Sequence, residues 1–594
     1  MDDELSSSTT VRDAVTSRLV AAACVQGYFQ RLTWEAKMGI GQGRGWIRRQ
    51  REVRRSGWRY ASGLAAACTA AMLAIAGCGG SSPSNSKLAA SGKASFYTAG
   101  TPGGTPVHGG TVTIDTPLVP STFNPYVQVG AAQDEVYQVE EQLFEPMPVP
   151  GNPSQVKTEP ALASSWSVSP NGLVYTFHIR EGVRFSNGEP LTGEDVVFSL
   201  KKVESPTDTE VTVVKPWKKI SLVAPMTVQL QLSKPQSVLP ELLAVYQASI
   251  VPKRLYEREG GTAFGLHPVG TGPFIFKSAT PGFTTVTEVR NPDYWRGGGQ
   301  PYVNELVWNQ VESPNSRILA VRSGAADVAL NIPYGQVSSL KATPGVRMLV
   351  APEWGASFAV FNRAKAPFDE PNVTKALLYA TPREEIIKAV YKGIGEPSNS
   401  LWGKLKYWDS KVPLVPYDIA KAKELLKRSS VPNGFSMTIS YVSGETEGEL
   451  VSSILQSAWA QIGVHANIQS LPATTLYSDY FSGKTQFAVF PPEEGYSNAY
   501  NPYFISYYMD NTEPGWAPPA NPPLLAKLEK ARDSTSEAEE QKLYGELQED
   551  TYEQEPMAMS IATLASLNLV SDSLHGFQYL PDTFMRMEQV WLQK

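Results

Sequence analysis

The sequence predicts an α/β or α+β protein of two or three lobes. From about residue 109 onward, short stretches alternate apolar and polar residues, as strands with one buried face do. Stretches with apolar residues three or four positions apart, typical of amphipathic helices, are intermixed with them. The length of 594 residues leaves room for several domains.

Three strands are predicted early in this region, at 110–115, 173–180 and 227–232. In each one, every second residue is apolar, so one face of the strand is expected to be buried. The residues expected to point inward in the first two strands are Val112, Ile114, Tyr175, Phe177 and Ile179.

Helices are predicted from capping residues and apolar spacing. Thr192, with Asp195 three positions later, is expected to cap a helix. Residues 373–391 have helical spacing, and Pro382 is expected to divide them into two helices.

Two further N-termini are predicted by the capping-box pattern, at Thr446 with Glu449 and at Ser536 with Glu539. Gly463 is expected to cap the end of the first of these helices. The residues expected to form buried stripes on these helices and on one between them are Leu450, Ile454, Leu455, Ala458, Leu524, Leu528, Ala531, Leu543 and Leu547.

Composition excludes several classes of protein. Hydrophobic residues are 42% and charged residues 19%, which is ordinary for a folded protein and excludes global disorder. The net charge of −6 lacks the basic character of a nucleic-acid-binding protein. The three cysteines are Cys24, Cys68 and Cys78, so the rest of the chain contains neither a disulfide scaffold nor a cysteine zinc site.

The first 77 residues have the organisation of a secretory signal. Arginines are concentrated at 44–59, an apolar run follows at 61–76, and a Gly/Ser-rich tether comes after it. Residues 75–78, Ile-Ala-Gly-Cys, resemble a bacterial lipobox, which implies that Cys78 is lipidated and becomes the mature N-terminus. A transmembrane anchor is the alternative, although the run is shorter than the roughly 20 residues of a span. The start codon (Met1 or Met38) and the export route (Sec or twin-arginine) stay open.

The sequence lacks the usual motifs for catalysis and cofactor binding. The sequence contains neither the Gly-x-Ser-x-Gly hydrolase elbow nor a His-Glu-x-x-His zinc motif. Residues 483–485, Gly-Lys-Thr, do not complete a phosphate-binding loop, because Ser478 stands where its first glycine is required. The histidines are scattered singly, at His108, His178, His267, His465 and His575. No cofactor, metal or catalytic residue is therefore expected.

Several segments resemble the extracytoplasmic solute-binding proteins of ABC transporters, family 5, which includes oligopeptide-, dipeptide- and nickel-binding members. Residues 160–199 resemble the family signature almost throughout. Shorter blocks follow in the family's order at 268–274, 291–295, 323–327, 361–377, 420–426 and 462–463. The resemblance covers about residues 109–594.

This resemblance implies a two-lobed periplasmic-binding-protein-like α/β fold with an extra inserted domain and a hinge between the lobes. Residues 1–77 are then a cytoplasmic extension and lipoprotein signal peptide, and residues 78–108 a flexible tether. Domain I is expected to comprise 109–154, 249–360 and 562–594, domain II 155–248, and domain III, the second lobe, 361–561.

The implied function is a substrate-binding lipoprotein of an ABC importer. It is expected to act as a monomer outside the cytoplasm, anchored to the cell membrane, capturing a peptide or similar small solute for the permease subunits. Neither an enzymatic reaction nor nucleic acid is expected. The alternatives are a secreted, peptidase-like enzyme and a chaperone or signalling receptor on the same fold.

The resemblance also implies where the ligand is held. The first contact segment runs from Phe123 to Gln133, and the second contains Tyr496, Asn498 and Tyr500. Peptide-binding members have an Asp for the ligand's amino group where this chain has Asn498. Either Glu493 or Glu494 substitutes for it, or the ligand is a blocked peptide, a sugar or another neutral solute. Further candidates for the cleft walls are Trp354 and Trp402, for which core packing is the alternative.

Overall fold

The computed structural model describes residues 105–127, 133–149, 152–204, 217–340, 343–400, 403–404, 407–490, 522–554, 556, 558–580 and 584–593. Within these ranges, the side chains of 152–155, 204, 352–355, 358, 474, 477 and 481 are not described. The lipobox and Cys78 therefore lie outside the described residues.

An 11-stranded mixed sheet organises the fold. Ten strands follow one another in the order β15-β14-β16-β12-β17-β11-β1-β10-β9-β8, and β13 pairs with β17 beside this path. The strands are β1 Thr111–Thr116, β8 Phe274–Ala279, β9 Thr285–Arg290, β10 Glu305–Gln310, β11 Val328–Ala329, β12 Val346–Phe361, β13 Glu396–Pro397, β14 Ser436–Val442, β15 His465–Leu471, β16 Phe487–Val489 and β17 Ala558–Ser571.

The two long strands β12 and β17 lie in the middle of this sheet and pair antiparallel, from Val346 opposite Ser571 to Val360 opposite Ala558. Residues 558–570 of β17 are all buried. A strand covered on both faces has no polar face to alternate with, which explains its run of Ala, Ser, Thr and Leu.

A separate four-stranded antiparallel sheet has the order β4-β5-β7-β6. Its core is built from the inward residues of β5, including Phe177, which is fully buried. Two-stranded pairs β2–β3 and β18–β19 complete the strands of the described region. The strands of these smaller sheets are β2 Phe144–Val149, β3 Asn152–Pro160, β4 Ala163–Val168, β5 Val174–Ile179, β6 Trp217–Ala224, β7 Thr227–Leu232, β18 Leu574–His575 and β19 Trp591–Leu592.

Helices pack against these sheets, most of them in the second half of the chain. They are α1 Asp134–Val139, α2 Gly193–Glu204, α3 Leu239–Leu242, α4 Lys253–Leu266, α5 Pro314–Ser323, α6 Val337–Leu340, α7 Pro371–Tyr379, α8 Arg383–Ala389, α9 Ile419–Lys427, α10 Thr446–Ala460, α11 Ala473–Phe481, α12 Pro522–Arg532 and α13 Glu537–Glu549. Within the described residues, no helix combines the length and apolarity needed to cross a membrane.

The predicted elements are largely confirmed. The three early strands form with their apolar residues buried, and Pro382 separates α7 from α8. The Thr192 box forms reciprocally: the backbone N–H of Thr192 donates to Asp195 Oδ2 at 2.9 Å, and the N–H of Asp195 to Thr192 Oγ1 at 3.4 Å. The side chain of Ser536 likewise accepts a hydrogen bond from the N–H of Glu539.

Two predictions about helix α10 are wrong. Its N-cap is Glu445, and Thr446 is already its first helical residue, so the Thr446 side chain does not cap the helix. Leu450 was expected in the buried stripe but is 41% exposed, whereas Leu455 and Ala458 are buried. The buried face of α10 therefore runs through Gly448, Val451 and Leu455, so that Val451 takes the inward position expected for Leu450.

Candidate functional site

The pairing of β12 with β17 is interrupted near its middle. Pro352 lies opposite Ala565 and Ala356 opposite Thr563, so three residues of β12 face one residue of β17. Such a bulge bends a strand and redirects its side chains, and bulges are frequent beside functional sites. Trp354, the predicted wall residue, is the central residue of this bulge; its side chain is not described.

Strand β13 brings the segment that leads to Trp402 to the same place. Glu396 pairs with Thr563, and Pro397 with Ala562. On the other edge of β17, Ala356 pairs with Thr563 and Ser357 with Ala562. The backbone that precedes Trp402 and the backbone that follows Trp354 therefore lie on either side of the same two residues of β17. The fold thus brings two predicted wall segments together, although Trp402 itself lies outside the described residues.

Helix α13 holds both ends of the loop that contains Trp402. The fully buried Gln548 accepts a hydrogen bond from the N–H of Asp409 at 2.8 Å and donates to the carbonyl of Asn399 at 3.1 Å. Asn399 also accepts from Trp408 Nε1 at 2.7 Å and donates to the carbonyl of Val412 at 2.6 Å. These bonds determine where the loop enters and leaves the site.

The first predicted contact segment is anchored in a different core. Phe123 is fully buried, its ring packing edge-on against Phe276 with centroids 5.1 Å apart. This favours core packing for Phe123, and its contact with a ligand stays a prediction. Gln133, by contrast, is half-buried at the N-terminus of α1. One turn later, Tyr137 packs against Phe584 at 4.8 Å.

Behind α1 lies a buried charged network that sequence reasoning missed. Glu141 accepts hydrogen bonds from Tyr294 Oη at 2.9 Å, Trp295 Nε1 at 2.7 Å and Thr271 Oγ1 at 2.8 Å. Burial nevertheless raises the pKa of Glu141 to about 7, against the lowering effect of nearby Arg296 and of these donors. These hydrogen bonds connect Glu141, two residues after the end of α1, to Thr271, Tyr294 and Trp295.

Two arginines neutralise the neighbouring Glu145. Arg296 donates to it at 2.5 Å, and Arg586, near the end of the chain, lies 3.4 Å away. Arg586 is also paired with Glu588, and its side chain is only 4% exposed. A cavity of about 20 Å³ opens among these groups, enough for a single water molecule but not for a solute.

Three more glutamates near α1 are buried, and burial raises the pKa of each well above its usual range. Glu288 accepts a hydrogen bond from Trp308 Nε1 at 3.0 Å. Both oxygens of Glu135 lack a hydrogen-bond partner, which makes its ionised form costly. The third of these residues is Glu140.

The remaining predicted ligand residues, Tyr496, Asn498 and Tyr500, lie outside the described residues, as do Glu493 and Glu494. Within the described ranges, no group of three or more His, Cys, Asp or Glu side chains is arranged to hold a metal ion.

Comparison with known protein families identifies the family of this chain. Residues 157–515, more than half of the chain, match the model of the bacterial extracellular solute-binding proteins, family 5 (middle). The chain belongs to this family. It is accordingly the substrate-binding component of an ABC importer, acts outside the cytoplasm and is a binding protein rather than an enzyme.

Curated relatives of this family-5 protein include the glutathione-binding protein GsiB of Salmonella paratyphi A, 29% identical over 73% of this chain and 86% of the relative. GsiB of Escherichia coli O6:K15:H31 is 28% identical over 75% of this chain and 88% of its own length.

Solved structures confirm the predicted mixed α/β fold. NikA from Brucella suis, in complex with Fe(III)-EDTA, superposes with a TM-score of 0.72 at 18% identity, covering 82% of this chain and all of NikA. DppA from Helicobacter pylori, in complex with the peptide STSA, has a TM-score of 0.69 at 23% identity, covering 82% of this chain and 99% of DppA.

Proposed function

We propose that this family-5 protein is a lipid-anchored receptor that closes two lobes around a peptide or similar small solute and delivers it to the permease subunits. The observation that carries the proposal is the strand pair β12–β17. These strands join β14–β16, from the predicted domain III, to β1 and β8–β11, from the predicted domain I. A hinge at this pair would open and close a cleft beside the bulge at Trp354.

The sheet organisation supports the domain boundaries that we propose. The four-stranded sheet lies within 155–248, the predicted domain II. Strand β12 ends at Phe361 and β17 begins at Ala558, so the proposed changes of lobe at 361 and 562 fall at one end of the strand pair.

The ligand class is proposed from the relatives together with the residues. Glutathione, the ligand in the relatives' names, is a small peptide, and one structural neighbour holds a peptide. We expect the ligand to contact Gln133, Trp354 and Trp402, and the loop residues Tyr496, Asn498 and Tyr500. An amide at 498 suits a ligand whose charge is neutralised elsewhere, since a buried ammonium requires an opposite charge.

The decisive experiment is mass spectrometry of the solute that remains bound through mild purification, followed by calorimetry with that solute and with reduced glutathione. Asn498→Ala is expected to raise the Kd about tenfold, equivalent to one lost hydrogen bond of about 1.4 kcal/mol. The matched control is Asn187→Ala, which removes an amide from an exposed turn. An unchanged Kd in Asn498→Ala would remove this residue from the site, and failure to bind any peptide-like solute would refute the ligand class.

The anchor is tested separately. The mature protein is expected to begin at Cys78 and to carry the mass of a lipid on that residue. The Cys78→Ala variant is expected in the soluble fraction instead of the membrane fraction. A mature N-terminus elsewhere, or a Cys78 without lipid, would contradict the anchor while leaving the receptor function intact.

A further inference from the structure

The segment 234–242, which follows β7 of the four-stranded sheet, packs against helices α12 and α13. Val238 and Leu242 share one buried apolar cluster with Leu528 and Tyr544 of these helices. All four side chains are at most 4% exposed. The apolar contact thus joins the predicted domain II to the predicted domain III, two parts connected in sequence only through domain I.

Tyr407, in the loop held by α13, lies at the centre of this contact. Its ring stacks on Tyr544 with centroids 5.0 Å apart and planes 11° apart, and its hydroxyl donates to the buried Glu540. The same hydroxyl interacts electrostatically with Ser237 and Glu241, both from segment 234–242. Tyr407 therefore links the segment, helix α13 and the loop that contains Trp402.

The rim of the contact is charged and solvent-exposed. Lys234 Nζ lies 3.2 Å from Asp533 Oδ2, with the two side chains 59% and 41% exposed. Gly172 also approaches Thr535, which lies just before the N-cap of α13, so closely that a Cβ at Gly172 would lie 2.9 Å from Thr535 Cγ2. The contact thus extends from the buried cluster to residues at its exposed rim.

We propose that this contact is an interlobe latch: it forms when the lobes close, and its strength sets the closed population without touching the solute. The inference rests on the proposed function, because it needs two lobes that part. Rotation about the β12–β17 pair would separate segment 234–242 from α12 and α13. Since solute affinity is reduced by the fraction of molecules unable to close, a weaker latch gives a higher Kd.

The Lys234–Asp533 ion pair allows a test that leaves the core intact. Lys234→Glu and Asp533→Lys each place like charges together, and the double variant restores an ion pair in reverse. We expect each single variant to raise the Kd for reduced glutathione or the co-purified peptide about twofold to fivefold. This is the size of effect that an exposed ion pair can have. We also expect each to raise the radius of gyration of the solute-free protein in X-ray scattering. The double variant should recover both values.

The matched control is the exposed pair Lys277–Glu305, 2.8 Å apart and lying wholly within the predicted domain I. Its charge reversals should change neither the Kd nor the radius of gyration. Equal Kd and radius values in wild type and all Lys234/Asp533 variants would overturn the latch and leave the proposed function standing. If neither wild type nor any variant binds a solute, the proposed function fails, and the scattering data still test the latch. A radius of gyration that is raised in the single variants and restored in the double variant supports the latch, whereas equal radii of gyration refute it.

Discussion

The buried Glu141 makes the stability of the protein depend on pH in a definite direction. Its pKa is about 7 in the folded protein and near 4.5 in an unfolded chain. Folding therefore favours the protonated form, and stability present below pH 4.5 is lost as the pH rises to about 7. A difference of about 2.5 pKa units is equivalent to about 3 kcal/mol of unfolding free energy.

Glu141→Gln isolates this contribution, because the amide does not ionise. At low pH the amide resembles the protonated wild-type carboxyl, since in both groups one of the two polar atoms carries hydrogen where the three donors require acceptors. We expect the gap in unfolding free energy between variant and wild type to change by about 2–3 kcal/mol in favour of the variant between pH 5 and pH 8, because wild type alone loses stability.

The assay is urea unfolding at constant ionic strength across this pH range, with the exposed Glu181→Gln as the matched control. Glu181→Gln should track wild type at every pH. A gap between Glu141→Gln and wild type that stays constant from pH 5 to pH 8 would refute the assignment of a raised pKa to Glu141.

Other substitutions test the packing and the caps. Phe177→Ala, in the fully buried centre of the four-stranded sheet, should lower the unfolding free energy by about 3–5 kcal/mol; a loss below 1 kcal/mol would contradict its core position. Arg586→Met leaves the buried Glu145 with one arginine fewer and should cost about 3–5 kcal/mol in urea unfolding, whereas a neutral effect would mean that the pair is dispensable. Ser536→Ala should cost about 1 kcal/mol and Thr446→Ala under about 0.5 kcal/mol, and equal losses would contradict the different capping of the two helices.

The elements that could be predicted are those whose structure depends on the local sequence and not on contacts with distant parts of the chain. Alternation identified the early strands, and Ser536 was identified as a cap by its local pattern. The same pattern failed at Thr446 because Glu445 takes the cap position, which depends on how the chain enters the helix. Strand β17 is not predictable from the alternation of apolar and polar residues, because burial on both faces removes that alternation.

The buried charges were unpredictable for a different reason. Carboxylates are normally expected on the surface, and only distant partners make their burial tolerable. Arg296 lies 151 positions from Glu145, and Arg586 lies 441 positions from it. No local window of sequence contains such a pair. Of the site, Trp354 and Trp402 stay predictions from the sequence, and the hydrogen bonds from Gln548 that hold the ends of the loop containing Trp402 come from far along the chain.

Strand β17 has a consequence for how the chain matures. It occupies the middle of the large sheet, yet at residues 558–571 it follows every other strand of that sheet in the sequence and so is synthesised after them. Until it is synthesised, the two halves of the sheet have no partner strand to complete their junction, and stable folding must wait. A nascent polypeptide that remains unfinished in this way is well suited to threading through a translocation channel before it acquires tertiary structure.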